Sequence, residues 1–320
     1  MSFLPLHRPP RRPHAWAFAL LLSQLAVAGL WVWLGWQWGL PLLLLSHLPF
    51  LWGTLRPDSR LFSPVLTHLP SSERVIWLTI DDGPSEQTIA ILDLLDAHQA
   101  KATFFLVGER ATRWPSLVRE IAARGHGIGN HSHGHPQRWF WALGPRRMRR
   151  QIDRAQETLA TLGGTPPRWF RAVVGMANPF VAASLQRHGL ARVAWTARGY
   201  DAVEAEPGKV VARIERDLQP GAIVLMHEGA SHGRNVETLA LFLQRLDALG
   251  YTTVLPETLE PQHRSGLLRD RIAFAVDNGR EDAKAVAQIT DTKAGSHAAP
   301  VVAEAEPAGV EAEGVVSAPR

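Results

Sequence analysis

The chain has 320 residues, of which 46% are hydrophobic, and this composition excludes a peptide or a wholly disordered protein. Cysteine is absent, which excludes disulfide frameworks, thiolate zinc sites and thiol nucleophiles. The formal charge of +4 arises from 34 basic and 30 acidic residues, a balance too even to predict a nucleic-acid partner.

An apolar segment from Pro13 to Leu55 contains no Asp, Glu, Lys or Arg. As one helix it would be about 65 Å long, roughly twice the hydrocarbon core of a bilayer. Its middle is typical of an aromatic belt at a turn and contains Trp31, Trp33, Gly35, Trp36, Trp38, Gly39 and Pro41. We therefore predict a transmembrane hairpin of about residues 14–33 and 39–55.

A single span followed by an interfacial apolar helix is the alternative to the hairpin. A cleaved signal peptide is disfavoured, because its apolar region is usually only about 7 to 15 residues long. We expect the membrane to be the cytoplasmic membrane of a bacterium. Arginines flank the segment similarly on both sides, so the side that holds the rest of the chain stays open.

Residues 75–254 alternate short apolar runs with amphipathic ones, which predicts about seven strand–helix units. Strands are predicted at 75–80, 102–107, 126–129, 168–171, 191–195, 222–226 and 251–255. Helices are predicted at 87–98, 114–124, 145–162, 179–188, 209–217 and 235–249. This pattern indicates an α/β fold with a parallel sheet, closed or nearly closed into a barrel, with its chemistry at the carboxyl ends of the strands.

Two adjacent carboxylates, Asp81 and Asp82, follow the first of these strands directly. They repel each other and need a partner, usually a cation, although a plain acidic turn is the alternative. His131 and His135 follow the third strand, and a spacing of four would place both imidazoles on one face of a helical turn. Two imidazoles and one carboxylate form a three-ligand metal site with open positions, whereas a surface histidine cluster is the alternative.

Two further candidates lie at strand ends. His227 ends the run Gly-Ala-Ile-Val-Leu-Met, a position suited to proton transfer near pH 7, and a hydrogen-bonded loop histidine is the alternative. Arg171 follows Arg-Trp-Phe in the same way, and its alternative is an ordinary surface arginine.

In their order and spacing, four motifs resemble the polysaccharide deacetylases of the NodB-homology group, carbohydrate esterase family 4, over about residues 73–256. The motifs are Thr-Ile-Asp81-Asp82-Gly-Pro, His131-Ser-His-Gly-His135, Phe-Arg171 and Leu-Met-His227. The resemblance implies a deformed (β/α) barrel of about seven strands. It also implies a hydrolase that removes an N-acyl group, usually N-acetyl, from a carbohydrate and releases a free amine and acetate.

The resemblance further implies a role for each motif residue. Asp81 corresponds to the catalytic base, Arg171 to the arginine that tethers the base, and His227 to the general acid. The ligands of a divalent metal, which we expect to be zinc although other transition metals stay open, correspond to Asp82, His131 and His135.

Two motifs depart from the family pattern. The third reads Arg-Ala-Val-Val-Gly and lacks the usual prolines and aromatic residue, so Val174 would supply the backbone amide of the oxyanion region. The fourth keeps Asp201, which would support the acid, but Ala202 follows it where the family has Trp.

The expected substrate is an N-acetylated glycan such as peptidoglycan, a chitin-like oligomer or an exopolysaccharide. Because the chain contains an apolar segment, the alternative substrate is a lipid-linked amino sugar that is deformylated or deacylated at the bilayer. An arginine run at 138–154 could favour an anionic headgroup or polymer, or be a solvated helix face. A catalytically impaired sugar-binding homologue is a further alternative, whereas two short spans are too few for a transporter.

We predict three parts in the chain. Residues 1–60 form the membrane anchor and residues 73–262 the catalytic domain. Residues 277–320 form a disordered tail, because they lack aromatic residues and sustained periodicity.

Overall fold

Two long apolar helices come first in the computed structural model, which describes residues 6–259. α1 (Ala15–Leu34) and α2 (Trp36–Leu55) are joined by Gly35, whose φ of 84° suits a residue without Cβ. The helices pack antiparallel, with Gln24 Nε2 donating to Ser46 Oγ at 3.1 Å. Both are long and apolar enough to cross a membrane. The predicted helix pair is confirmed, and its insertion into a bilayer stays a prediction.

Parallel strands form the sheet that follows. They are β1 (Val65–Leu66), β2 (Val75–Gly83), β3 (Ala102–Leu106), β4 (Gly127–Asn130), β5 (Trp169–Phe170), β6 (Ala191–Val193), β7 (Ala197–Arg198), β8 (Ile223–His227) and β9 (Thr252–Thr253). Their order is β1-β6-β5-β4-β3-β2-β8-β7, and β9 pairs with β2. The predicted (β/α) architecture is therefore confirmed.

Helices connect most of the successive strands and cover the sheet. They are α3 (Thr88–Ala97), α4 (Gly108–Arg113), α5 (Pro115–Ala123), α6 (Pro145–Gly163), α7 (Val181–Arg187), α8 (Pro207–Arg216) and α9 (Asn235–Leu249). The two-residue strands β1 and β7 and the short helix α4 were not predicted, because elements of this length show no hydrophobic periodicity.

The sheet curls until its two edges approach each other at residues 194–196. Ala194 N donates to the Leu66 carbonyl at 2.9 Å, next to the β1 edge. Two residues later, Thr196 N donates to the Ile223 carbonyl of β8 at 2.8 Å. One short segment thus bonds to β1 at one edge and to β8, the strand beside the other edge. The carboxyl ends of the strands gather at one mouth.

The division into anchor, catalytic domain and tail stays a prediction. The sheet gains β1 ahead of residue 73, where the predicted catalytic domain begins. The predicted tail at 277–320 and the last residues of the predicted domain lie outside the described residues.

Trp77 of β2 lies at the centre of the apolar interior below the mouth. Its indole N–H donates to Thr103 Oγ1 at 2.8 Å, and its ring centroid lies 5.1 Å from that of Trp169. The side chain is fully buried, because β2 is a central strand with both faces covered.

We expect Trp77→Ala to lower the free energy of unfolding by about 3–5 kcal/mol, because a large cavity would remain and Thr103 would lose a donor. Chemical denaturation of the full chain in detergent, followed by far-UV circular dichroism, measures the effect. Trp139→Ala is the matched control, since Trp139 is 65% exposed and its loss should change stability by less than about 0.5 kcal/mol. Equal losses in both variants would contradict this account of the core.

Candidate active site

Two adjacent carboxylates, Asp81 and Asp82, lie at the end of β2 and differ in their backbone geometry. Asp81 still belongs to the ladder, paired in register with Phe105 of β3 and His227 of β8. The register shifts between Asp81 and Gly83, so Asp82 lies in an irregularity and has a left-handed backbone with φ 72°. The two carboxylates therefore have different partners.

Asp82 meets the two predicted histidines. Its Oδ1 lies 2.9 Å from His135 Nε2 and 3.4 Å from His131 Nε2. The three potential ligand atoms lie within 4.8 Å of one another. A single cation can therefore contact all three residues.

The histidines do not lie on one face of a helix, and that prediction was wrong. Residues 131–135 form no helical turn, and Ser132 and His135 have positive φ values of 69° and 46°. Strained backbone brings the imidazoles together here, as is common at functional sites. His133, between them, is not part of this cluster, and its backbone N–H donates to Gln151 Oε1 at 3.1 Å.

Two observations show that these residues fit a cation. Asp82 Oδ1 is buried and receives no hydrogen bond of suitable geometry, although two imidazole nitrogens face it. His131 Nδ1 lies 2.9 Å from the Arg171 carbonyl, and donation to that carbonyl leaves the Nε2 lone pair free for a metal. Burial alone would raise the pKa of Asp82, but the imidazoles hold that pKa well below its usual range, so the carboxylate is ionised.

Arg171 fixes the second carboxylate. The arginine is fully buried, and its Nη1 donates to Asp81 Oδ1 and to Thr79 Oγ1, each at 2.7 Å. Its Nη2 donates to the Ala194 carbonyl at 3.0 Å. Asp81 Oδ2 faces the candidate metal ligands, 3.8 Å from His131 Nε2. This geometry suits a carboxylate that accepts a proton beside a cation.

His227, which is partly exposed, pairs with the buried Asp201. Asp201 Oδ1 lies 2.9 Å from His227 Nδ1, and its Oδ2 accepts from the His227 backbone N–H at 2.6 Å. Burial would lower the pKa of His227, but the Asp201 carboxylate outweighs it and raises that pKa to about 9. The imidazole is therefore protonated at neutral pH and keeps Nε2 for another partner.

We expect Asp201→Asn to shift the basic limb of the pH–rate profile to lower pH by about a unit or more. The carboxylate holds His227 protonated up to a pKa of about 9, so its loss lets the acid deprotonate earlier. Rates of the deacetylation that the sequence resemblance implies, measured as kcat/KM from pH 6 to 10, give the shift. Asp217→Asn, at an exposed helix end, is the control, and an unmoved limb in Asp201→Asn would remove Asp201 from this role.

Sequence reasoning missed Glu228 and Arg110. Glu228 is buried beside the site, where its Oε2 accepts from Ser85 Oγ at 2.7 Å and Thr88 Oγ1 at 2.5 Å. Burial raises the pKa of this carboxyl to about 7. Arg110 donates to the Asp82 carbonyl and so supports the irregular end of β2. Adjacency to His227 was the only available signal for Glu228, and no sequence pattern marks Arg110.

Val174 lies in a short 3₁₀ turn, three residues after Arg171. Its φ of 50° is an outlier for a β-branched residue, and its side chain is substantially exposed. Such strain is typical of functional loops. The expected contribution of its backbone amide to an oxyanion site stays a prediction.

Comparison with known proteins finds a family model and several individual relatives that match this chain. The model of the polysaccharide deacetylase family matches residues 68–193. A chitooligosaccharide deacetylase of Bradyrhizobium sp. is 32% identical over 165 residues, which cover 51% of this chain and 74% of the relative. A crystal structure of a peptidoglycan N-acetylglucosamine deacetylase is 30% identical with a TM-score of 0.56, and the match covers 60% of this chain and 91% of that chain.

The third relative is a CE4 family pseudoenzyme from Bacillus anthracis. Its crystal structure is 27% identical with a TM-score of 0.54, and the match covers 59% of this chain and 66% of that chain. The barrel is therefore shared by proteins named as enzymes and by one named as a pseudoenzyme. Activity must accordingly be argued from the side chains of the site.

Proposed function

The chain belongs to the polysaccharide deacetylase family, and from this premise we propose that it hydrolyses an N-acyl group, usually N-acetyl, from a carbohydrate. The products are a free amine and acetate. One observation carries the proposal. Three candidate metal ligands, an Arg-bound carboxylate and a histidine with a raised pKa lie together at the mouth of the barrel.

We propose that Asp82, His131 and His135 hold the divalent metal on which this family depends, and that the metal is zinc. One carboxylate oxygen and two imidazole nitrogens are a donor set that zinc accepts, and three protein ligands leave coordination positions open. When bound, the cation would polarise the acyl carbonyl and lower the pKa of water from 15.7 toward about 7.

The remaining residues move the protons. Asp81 accepts the proton of the attacking water, and the hydrogen bond from Arg171 keeps its carboxylate oriented. His227 then donates its proton to the departing amine, which is a poor leaving group until protonated. Asp201 keeps that proton on His227 until the carbon–nitrogen bond breaks. The backbone amide of Val174 is our candidate for stabilising the oxyanion.

A sugar-binding role without catalysis is the second candidate. The altered third motif, in which Val174 replaces an aromatic residue, is the observation that favours it. A binding protein, however, has no need of an arginine-bound carboxylate and a protonated histidine on either side of a metal site. The retention of Asp81 and His227 in these geometries supports hydrolysis instead.

For the substrate we propose an N-acetylated glycan of the kind named for the relatives, a chitooligosaccharide or peptidoglycan. We also propose that α1 and α2 anchor the protein in the cytoplasmic membrane of a bacterium. The anchor is the observation that favours a lipid-linked amino sugar as the alternative substrate.

Acetate release from an N-acetylglucosamine oligomer by the full chain in detergent tests the proposal. We expect release that a chelator abolishes and that added zinc restores. No release with any N-acetyl or N-formyl sugar, despite stoichiometric bound metal and intact binding of the oligomer, would contradict hydrolysis and favour the binding role. Release that survives complete metal removal would contradict the metal site.

A further inference from the structure

A cavity of about 240 Å³ lies where the first apolar helix meets the barrel. His14 and Trp16 line it from the start of α1, and Arg146 and Arg149 line it from the first turns of α6. Arg187 of α7 and the ring of Phe180 complete its wall. None of these residues belongs to the active site described above.

Direct contacts hold the base of α1 against α7. The Trp16 ring packs edge-on against Phe180, with centroids 5.5 Å apart. Gln186 Nε2 of α7 donates to the Arg11 carbonyl at 3.0 Å. The cavity is therefore bounded by the end of a membrane-spanning candidate and by helices of the barrel.

The charge of the cavity is strongly positive. The described residues that line it include three arginines and one histidine and no carboxylate. Asp153 offsets only part of this charge, because its single carboxylate pairs with both Arg149, at 3.2 Å, and Arg187, at 2.7 Å. Arg146 has no ion-pair partner among the described residues, and the first turn of α6 contains no acidic residue. Such a site favours an anion.

The surroundings of the cavity suit a membrane surface. α1 leaves the barrel here as an apolar helix whose surface is mostly exposed. Trp139 and Trp141, 65% and 39% exposed, lie on the segment that leads into α6. Asn178 Nδ2 donates to the Trp141 carbonyl at 3.2 Å and so ties this segment to the loop before α7. Exposed tryptophan beside arginine is typical of the membrane–water interface.

We propose that this cavity binds the phosphate of an anionic membrane lipid. Three arginines match a phosphate in charge and hydrogen bonding. A volume of about 240 Å³ is below the roughly 300–1,000 Å³ of sites that enclose drug-sized ligands, so it suits a headgroup rather than an oligosaccharide. Arg146 lies at the start of α6, the helix that follows β4 and His131, so a bound lipid would hold the mouth of the active site near the bilayer surface.

The test is a titration of the full chain in detergent, followed by native mass spectrometry. The lipids are phosphatidylglycerol and, as the neutral comparison, phosphatidylcholine. The cavity variant combines Arg146→Gln, Arg149→Gln and Arg187→Gln. The control combines Arg147→Gln, Arg150→Gln and Arg154→Gln, which removes the same charge from the arginines of α6 that do not line the cavity.

We expect phosphatidylglycerol to bind at least about tenfold more weakly to the cavity variant and within about twofold of wild type in the control. Far-UV circular dichroism and melting temperature verify that both variants are folded. Equal losses in both variants, or equal binding of the two lipids by wild type, would overturn the proposal. Inorganic phosphate is the third ligand, and if it binds alone as tightly as phosphatidylglycerol, the site takes a soluble anion rather than a lipid.

Discussion

Replacing His131 or His135 with alanine should remove the bound divalent ion and the hydrolytic activity together. Each imidazole nitrogen lies within 3.4 Å of the same Asp82 oxygen, so the loss of either leaves two of three ligands. We expect metal affinity to fall more than about a hundredfold, since loss of even an outer-shell partner costs 10- to 100-fold. Deacetylation should fall at least about 10³-fold, because the water to be activated returns toward its own pKa.

Metal analysis of the purified variants and a coupled acetate assay measure the two effects. His133→Ala is the matched control, because this histidine of the same motif lies outside the cluster of Asp82, His131 and His135. It should keep its metal and most of its activity. Full metal content in both His131→Ala and His135→Ala would overturn the ligand assignment, and with it the metal site.

Asp81→Asn should have the opposite signature, with the metal kept and turnover lost. The side chain retains its size and can still accept the Arg171 hydrogen bond, but an amide cannot take a proton from water. General-base catalysis contributes about 10² to 10⁴ in rate, and we expect a fall of that size in kcat/KM. Bound metal should remain stoichiometric.

Asp93→Asn serves as the control for Asp81→Asn, because Asp93 is an exposed carboxylate on α3 and its neutralisation should leave kcat/KM unchanged. Loss of metal in Asp81→Asn would make Asp81 a ligand rather than a base. Retention of both metal and full turnover would exclude it from the chemistry. A melting temperature measured for each variant shows whether activity is lost through unfolding instead, because Asp81→Asn leaves the buried Arg171 without its charged partner.

The long elements of the barrel could be predicted because their periodicity is local. The helix at 235–249 has the predicted bounds, and β3 ends one residue before its predicted end. β5 shrinks from a predicted four residues to two, and β7 was missed, because the length of such strands depends on their neighbours in the curled sheet. Local sequence does not encode that curvature.

The candidate site, like the fold, was predicted from the sequence only in part. Asp82, His131 and His135 come together as expected, since parallel strands deliver their carboxyl ends to one mouth. The helical turn expected for the histidines is absent. Ser132 and His135 instead have positive φ values, a strained backbone that is held by the packing around it and not by local sequence. Glu228 was missed for a related reason, since its burial beside Ser85 depends on a contact across more than 140 residues.

Short-range regularities alone were enough to establish the apolar helix pair, the alternation of strands and helices, and the residue types available for metal and proton chemistry. Those features depend on side chains only a few positions apart. Three other features were decided by the tertiary structure alone. Arg171 binds Oδ1 of Asp81, Asp201 raises the pKa of His227, and a cationic cavity lies at the base of α1. Each of these depends on strand register and chain closure, which bring distant residues within a few ångströms of each other.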